Sequence, residues 1–258
     1  MLRLLAIVTL LAASVGMRAQ GKTGIPITAP PGVTALPVEQ AGGPFLKSFN
    51  SGSAALIPYS VILTNHTNQP IIVVVTDWKY LDAHGFVRHF WLRADSTMAF
   101  SIPPLAGPHQ SVLLRPDGSV SESELTRENS GHLAGTVLTP KSVARFASAK
   151  DVGLTIDCVI FANGEYIGPN NEHYPEEIKA RNEAARELLN RLQQAKRNGK
   201  SLTATLLNVA THASARTDTK SGWMRIYADQ AKHLSDPIQF LSSFCQNQKL
   251  LPALYKGN

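Results

Sequence analysis

The sequence predicts an α+β protein: an antiparallel β-sandwich over residues 54–168, followed by a C-terminal helical layer of three to four helices over residues 169–258. Three observations carry this. The first is the stretch Asn65 to Gly85, where a polar turn with Pro70 runs into Ile71 to Val75, continues as Thr76-Asp77-Trp78-Lys79-Tyr80 and ends on Asp82-Ala83-His84-Gly85. β-Branched and aromatic residues fit a pleated surface, and the bounding Asn, Pro, Asp and Gly make turns. The second is the recurrence of such strands at short, regular intervals with turn chemistry between them. The third is the change at Gly168-Pro169-Asn170, where a period of two gives way to helical spacing.

In chain order, residues 1–20 have the plan of a secretory signal peptide: Arg3, an apolar run from Leu4 to Gly16, then small residues. The run is shorter than the roughly 20 residues a membrane span takes. Ser14-Val15-Gly16 offers small residues at cleavage spacing, whereas cleavage after Ala19 puts Met17 where a small side chain is preferred. No cysteine lies near this boundary, so a lipoprotein-type anchor is not expected. The expectation is export, to a periplasm or the medium, with no transmembrane segment in the mature chain. Residues 21–53 form an extended Pro/Gly-rich lead-in, with at most an edge strand at Val33 to Val38.

Ala54 to Leu63 reads as a first strand interrupted at Pro58, and Asn65-His66-Thr67-Asn68 turns it into the central strand. There Ile72, Val74, Thr76, Trp78 and Tyr80 share a face, with Trp78 between two sheets, while Asp77 and Lys79 point the other way. Phe86 to Leu92 completes a hairpin, Thr97 to Ile102 is a further strand, Pro103 to Pro108 is a hard turn, and Ser111 to Arg115 runs back to Pro116-Asp117-Gly118. Ser121 to Glu128 and Ser142 to Ala149 read as short helices. Leu154, Ile156, Cys158, Ile160 and Ala162 then alternate with Thr155, Asp157, Val159, Phe161 and Asn163, and Asn163-Gly164 turns into a return strand at Glu165 to Ile167.

Tyr174 or a neighbour opens a long helix with Pro175 in its first turn and Glu176 and Glu177 at the positive end of its dipole. Ile178, Ala185, Leu188, Leu189, Leu192 and Ala195 line one side, with Glu177–Arg181 and Glu187–Arg191 as i,i+4 pairs on the other, and Gly199 stops it. Further helices run from Ser201 to Ala213, from Trp223 to Leu234, and from Pro237 with Asp236 as cap. This layer lies on the sandwich or forms its own bundle.

The pattern from Pro58 to Gly85, strand, Asn-rich turn, long strand with Trp, resembles the immunoglobulin-like modules of secreted bacterial proteins, over Ala54 to Gly168. The resemblance implies an immunoglobulin-like sandwich. It lacks the cysteine pair that marks antibody-type domains beside the core Trp, and it implies no activity.

Charge excludes one class of partner. Lysine plus arginine is 25 against 19 acids, and losing Arg3 and Arg18 with the signal leaves 23 against 19. That excess is dispersed, and the basic residues between Pro175 and Lys200 alternate with glutamates, so nucleic acid is not an expected partner. Cys158 and Cys245 are the only cysteines; in an oxidising compartment they form a candidate disulfide, and equally they read as two buried thiols.

No stretch carries a recognisable catalytic constellation, and no catalytic, cofactor or metal residue is assigned. His84 and His89 flank a hairpin without the Cys, Asp or Glu spacing of a zinc set. His173 with Glu172, Glu176 and Glu177 is explained by a helix start. No serine stands in a Gly-x-Ser-x-Gly setting. Asn65-His66-Thr67 fits both a glycosylation acceptor and an ordinary turn. Because loops on a rigid scaffold carry binding, Asp82, His84, Leu105 and Pro108 are the candidate binding-loop residues. The resulting expectation is a non-catalytic binding or structural module of the cell envelope, contacting an envelope protein or surface ligand. The alternative is a hydrolase-like envelope enzyme with Asp77, His89, Asp157 or Glu165 in a site between sandwich and helices.

Overall fold

Two open β-sheets share one apolar core. The computed structural model describes residues 25–41, 43–49, 52–98, 103–125, 144, 146, 148–212, 219–249 and 253–257; the segment read as a signal peptide lies outside them. The strands are β1 (Ile27–Thr28), β2 (Val33–Pro37), β3 (Val61–Asn65), β4 (Ile71–Leu81), β5 (Val87–Asp95), β6 (Ser111–Arg115), β7 (Gly118–Ser121), β8 (Lys150–Phe161), β9 (Glu165–Ile167) and β10 (Tyr255–Lys256). The helices are the short α1 (Val38–Ala41), α2 (Gly43–Leu46) and α3 (Glu122–Leu125), then α4 (Tyr174–Arg197), α5 (Leu202–His212), α6 (Thr219–Ala231) and α7 (Pro237–Lys249).

One sheet has the order β10-β9-β8-β4-β5, with β1 also pairing β8; the other has the order β2-β3-β6-β7. The shared core takes Val61, Leu63, Val112 and Leu114 from the smaller sheet and Val74, Trp78, Leu154, Ile156, Val159 and Phe161 from the larger. Trp78 is fully buried there, its indole N–H donating to the Tyr59 carbonyl at 3.0 Å. The outer face of the smaller sheet is covered by α1 and α2 through Val38 and Phe45.

β4 and β8 depart from simple alternation. Val75 pairs Cys158 but Thr76 pairs Ile156, so Asp157 is the extra residue of a bulge; Ile71 pairs Phe161 but Val73 pairs Ile160, so Ile72 is extra on β4. Each bulge flips the faces that follow it. Ile72 joins Val73 and Val75 on the outer face instead of sharing Trp78's side, and Cys158 and Ile160 leave the side of Leu154 and Ile156. The strand expected over Ala54 to Leu63 starts only at Val61, because Ala54–Tyr59, with Pro58 inside, is a 3₁₀ turn. Ser96–Met98 is likewise a 3₁₀ turn; residues 99–102, the rest of the strand expected at Thr97 to Ile102, lie outside the described residues.

The helices do both things open to them. Tyr174 and Ile178, in the first turns of α4, pack on the outer face of the larger sheet with Val73, Val75, Cys158 and Ile160. Further along, Ala184, Ala185, Leu188 and Leu192 enter a second core with Leu206, Met224, Tyr227, Leu241 and Phe244 of α5 to α7. Gly199 ends α4 at φ +64°, and the Asp236 carboxylate accepts the Gln239 N–H at 2.9 Å to cap α7. The chain end then returns as β10 beside β9, an element with no sequence signal.

Candidate functional site

The site is the outer face of the larger sheet. Period two on β5 puts Val87, His89, Trp91, Arg93 and Asp95 on one side, opposite Leu81, Lys79, Asp77, Val75 and Val73 of β4. Among the described residues α4 covers the far half of this face, and nothing covers the half near the β4–β5 turn.

At the covered end the contacts are buried and polar. Asp95 accepts Tyr174 Oη–H at 2.8 Å and Arg181 Nη1–H at 2.8 Å on one oxygen, and the Thr97 N–H at 2.7 Å on the other. The side chains of Arg181 and Asp95 are 1% and 2% exposed, and the guanidinium lies over the Trp223 ring at 5.7 Å. Burial and the Asp95 carboxylate together hold the Tyr174 phenol well above its ordinary range. Arg93, one step outward, pairs with Glu172 at 3.1 Å and Glu177 at 3.0 Å and lies over the Tyr174 ring at 5.1 Å.

The bulge residue Asp157 places Glu172. Its carboxylate accepts Asn171 N–H at 2.9 Å, Asn171 Nδ2–H at 2.8 Å and Glu172 N–H at 3.2 Å, which fixes the loop before α4.

At the bare end, His89 Nδ1 lies 2.7 Å from Asp77 Oδ2 and the imidazole stacks on Trp91 with ring centroids 6.3 Å apart. The His89 side chain is 46% exposed, whereas Asp77 is buried and its Oδ1 has no hydrogen-bond partner among the described residues. Burial raises the Asp77 carboxyl above its ordinary value; the hydrogen bond and charge of His89 oppose this, and Asp157 and Glu172 add to it. With Nδ1 held by Asp77 and the ring half-exposed, Nε2 is the nitrogen left to contact a ligand.

The residues singled out from sequence fall in different places. Asp77, His89 and Asp157 are brought onto this face, while Glu165 lies on β9, away from it. Asp82 holds its own turn, accepting His84 N–H at 2.9 Å and Phe86 N–H at 3.0 Å and pairing with Arg88 at 2.9 Å, and His84 is exposed beside it. Pro108 is exposed, but Leu105 is not a surface residue: its N–H donates to the Ile71 carbonyl and its side chain enters the shared core. Of the two readings left open for Cys158 and Cys245, the disulfide is not formed; both thiols are buried, Cys158 in the sheet–helix cluster and Cys245 in the helical core. Chain spacing carries no such geometry. Asn65 is fully buried, donating to the Gln69 and Gly107 carbonyls and accepting Thr67 N–H, so the glycosylation reading gives way to a turn. Arg181 does not form the surface pair with Glu177; Asp95 takes Arg181 and Arg93 takes Glu177.

Among the described residues no group of three or more His, Cys, Asp or Glu side chains is placed to hold a metal ion. Sequence reasoning missed Trp91, Arg93, Asp95 and Arg181. The signal for the first three was present, since the alternation begun by Val87 and His89 continues to Asp95. Three clefts bounded by described residues lie elsewhere, beside α4, between α4 and α5, and at the start of β4.

Fold and site define a class: a mixed α+β protein of two open sheets, with a helical extension that leaves half of one sheet face bare. Compared with models of protein families, with curated proteins and with solved structures, the chain matches none.

Proposed function

We propose that the chain is an exported cell-envelope protein that binds a partner protein through the bare half of this sheet face and the β4–β5 turn. The observation that carries the reading is the exposed apolar tip: Phe86 and Val87 are 61% and 51% exposed, with Arg88 over the Phe86 ring and His89 and Trp91 continuing the strip inward. Exposed apolar side chains next to a stacked aromatic pair supply anchor groups of the kind interfaces use. Export rests on the signal-like N-terminus. The antiparallel pairing of β2, β3, β6 and β7 and the buried Trp78 support an immunoglobulin-like plan for the two sheets.

The test is sedimentation of the purified protein with envelope fractions of its host. Phe86→Ser combined with Val87→Ser changes only exposed side chains, and binding about tenfold weaker than wild type is expected. Equal sedimentation of both proteins sinks the reading.

A second reading is favoured by one distance, the 2.7 Å between His89 Nδ1 and Asp77 Oδ2. In it the face is the site of a hydrolase-like envelope enzyme, with Asp77 positioning the imidazole and Nε2 drawing a proton from water. Hydrolysis of p-nitrophenyl acetate above background that is lost in His89→Ala supports it; activity equal in both proteins removes it.

A further inference from the structure

At the start of β4, away from the hairpin tip, the two sheets part around a cleft of about 580 Å³. That volume falls within the range of small-molecule sites, roughly 300–1,000 Å³. Its apolar lining is Ile167 of β9 with Pro30, Pro31 and Pro169, above the buried Ile156 and Phe161 of β8. Two glycines shape its walls. Gly32 has φ +85°, and a Cβ there would stand 3.1 Å from Thr67 Cγ2 and 3.9 Å from Ile167 Cδ1, both cleft-lining groups. Gly168 has φ +109°, and a Cβ there would stand 2.4 Å from the Asp157 carbonyl oxygen, so only glycine lets this wall sit against β8.

The rim holds two polar side chains that keep hydrogen-bonding capacity to spare among the described residues. Glu165 is half-buried; its only side-chain partner among the described residues is Asn163 Nδ2 at 3.5 Å, and no described cation lies within ion-pair distance. The Gln69 side-chain amide has no hydrogen-bond partner among the described residues, its backbone carbonyl being the group that accepts from Asn65 and Thr67. A carboxylate without a counter-charge among the described residues, beside an apolar lining, is complementary to one chemistry. We propose that this cleft binds a small organic cation, with an apolar body on Ile167, Pro30 and Pro31 and a primary ammonium group on Glu165. The Gln69 amide oxygen accepts a second ammonium hydrogen. Charge-assisted hydrogen bonding fixes the head group, and burial of the body provides the remaining affinity.

Benzylammonium and benzyl alcohol, added to the full chain, test this by ligand-observed NMR and by thermal shift. Benzylammonium is expected to bind about tenfold more tightly than the alcohol, and Glu165→Gln to bring it down to the alcohol's level. Ile167→Trp, which fills the cleft, is expected to abolish both, and Gln69→Trp blocks the rim without touching the core should Ile167→Trp fail to fold. The proposal is overturned if neither probe binds wild type, if Glu165→Gln leaves the amine affinity unchanged, or if the filled variants bind as wild type does. Those outcomes leave the hairpin-face reading standing, since that face lies at the other end of β4.

Discussion

Asp77 is the residue whose chemistry most depends on its surroundings. Burial raises its carboxyl pKa above the ordinary 3.8, so between that value and the raised one the folded chain binds a proton that the unfolded chain has lost. Stability from this group is complete below the unfolded pKa and falls as pH rises through the folded one. Asp77→Asn removes that fall. In urea unfolding between about pH 4 and pH 7 the variant's stability relative to wild type is expected to improve as pH rises; a relative decline would show that the His89 ion pair outweighs burial. The thiols give a second residue-scale prediction. Burial, with the Asp157 and Glu176 carboxylates adding to it, pushes the Cys158 thiol up to about 12, and Cys245 is buried in the helical core. Neither should react with iodoacetamide in the native protein near neutral pH, and both should react in denaturant without reductant. A requirement for reductant would restore the disulfide. The sequence showed Cys158 on an apolar face of a strand but not which face, because the bulge at Asp157 has no compositional mark. Leu105 was misplaced for a related reason: a proline-rich turn reads as surface even when its one large apolar side chain points inward.

The element that joins the molecule is α4, and its junction with β5 is a buried ion pair. Removing one partner leaves the other charge unpaired inside the protein, so Arg181→Met is expected to lower stability by about 3–5 kcal/mol in urea unfolding. The double change Asp95→Leu with Arg181→Met should recover much of that loss, because it buries no charge. A single variant within about 0.5 kcal/mol of wild type would mean that the pair is not buried in solution. The α7 cap is a smaller test at the same scale: Asp236→Ala should lower stability by about 1 kcal/mol. Helix positions were legible because Pro175, Gly199 and Asp236-Pro237 are local stop and start signals. The partner of Arg181 was not. Glu177 and Arg181 have the spacing of a surface pair, and only the packing of α4 on a sheet carrying Arg93 and Asp95 reassigns both.

At the scale of the whole molecule the two largest buried clusters among the described residues lie between the sheets and among the helices, and α4 contributes to the second while bearing on the outer face of the larger sheet. The arrangement predicts one cooperative unit, since neither the outer sheet face nor the helical core is complete without the same helix. The two thiols report on it separately, Cys158 from the sheet–helix cluster and Cys245 from the helical core. In pulsed alkylation across a urea gradient they should become reactive in one coincident transition. Ala184→Gly with Ala185→Gly weakens α4 where it enters the helical core, by about 1 kcal/mol per residue from helix propensity, and more through the lost methyl packing. In that variant Cys245 should be released at lower urea than Cys158. If Cys245 already precedes Cys158 in wild type, α4 is not a coupling element, and the helical region folds as a unit of its own attached to a self-sufficient pair of sheets.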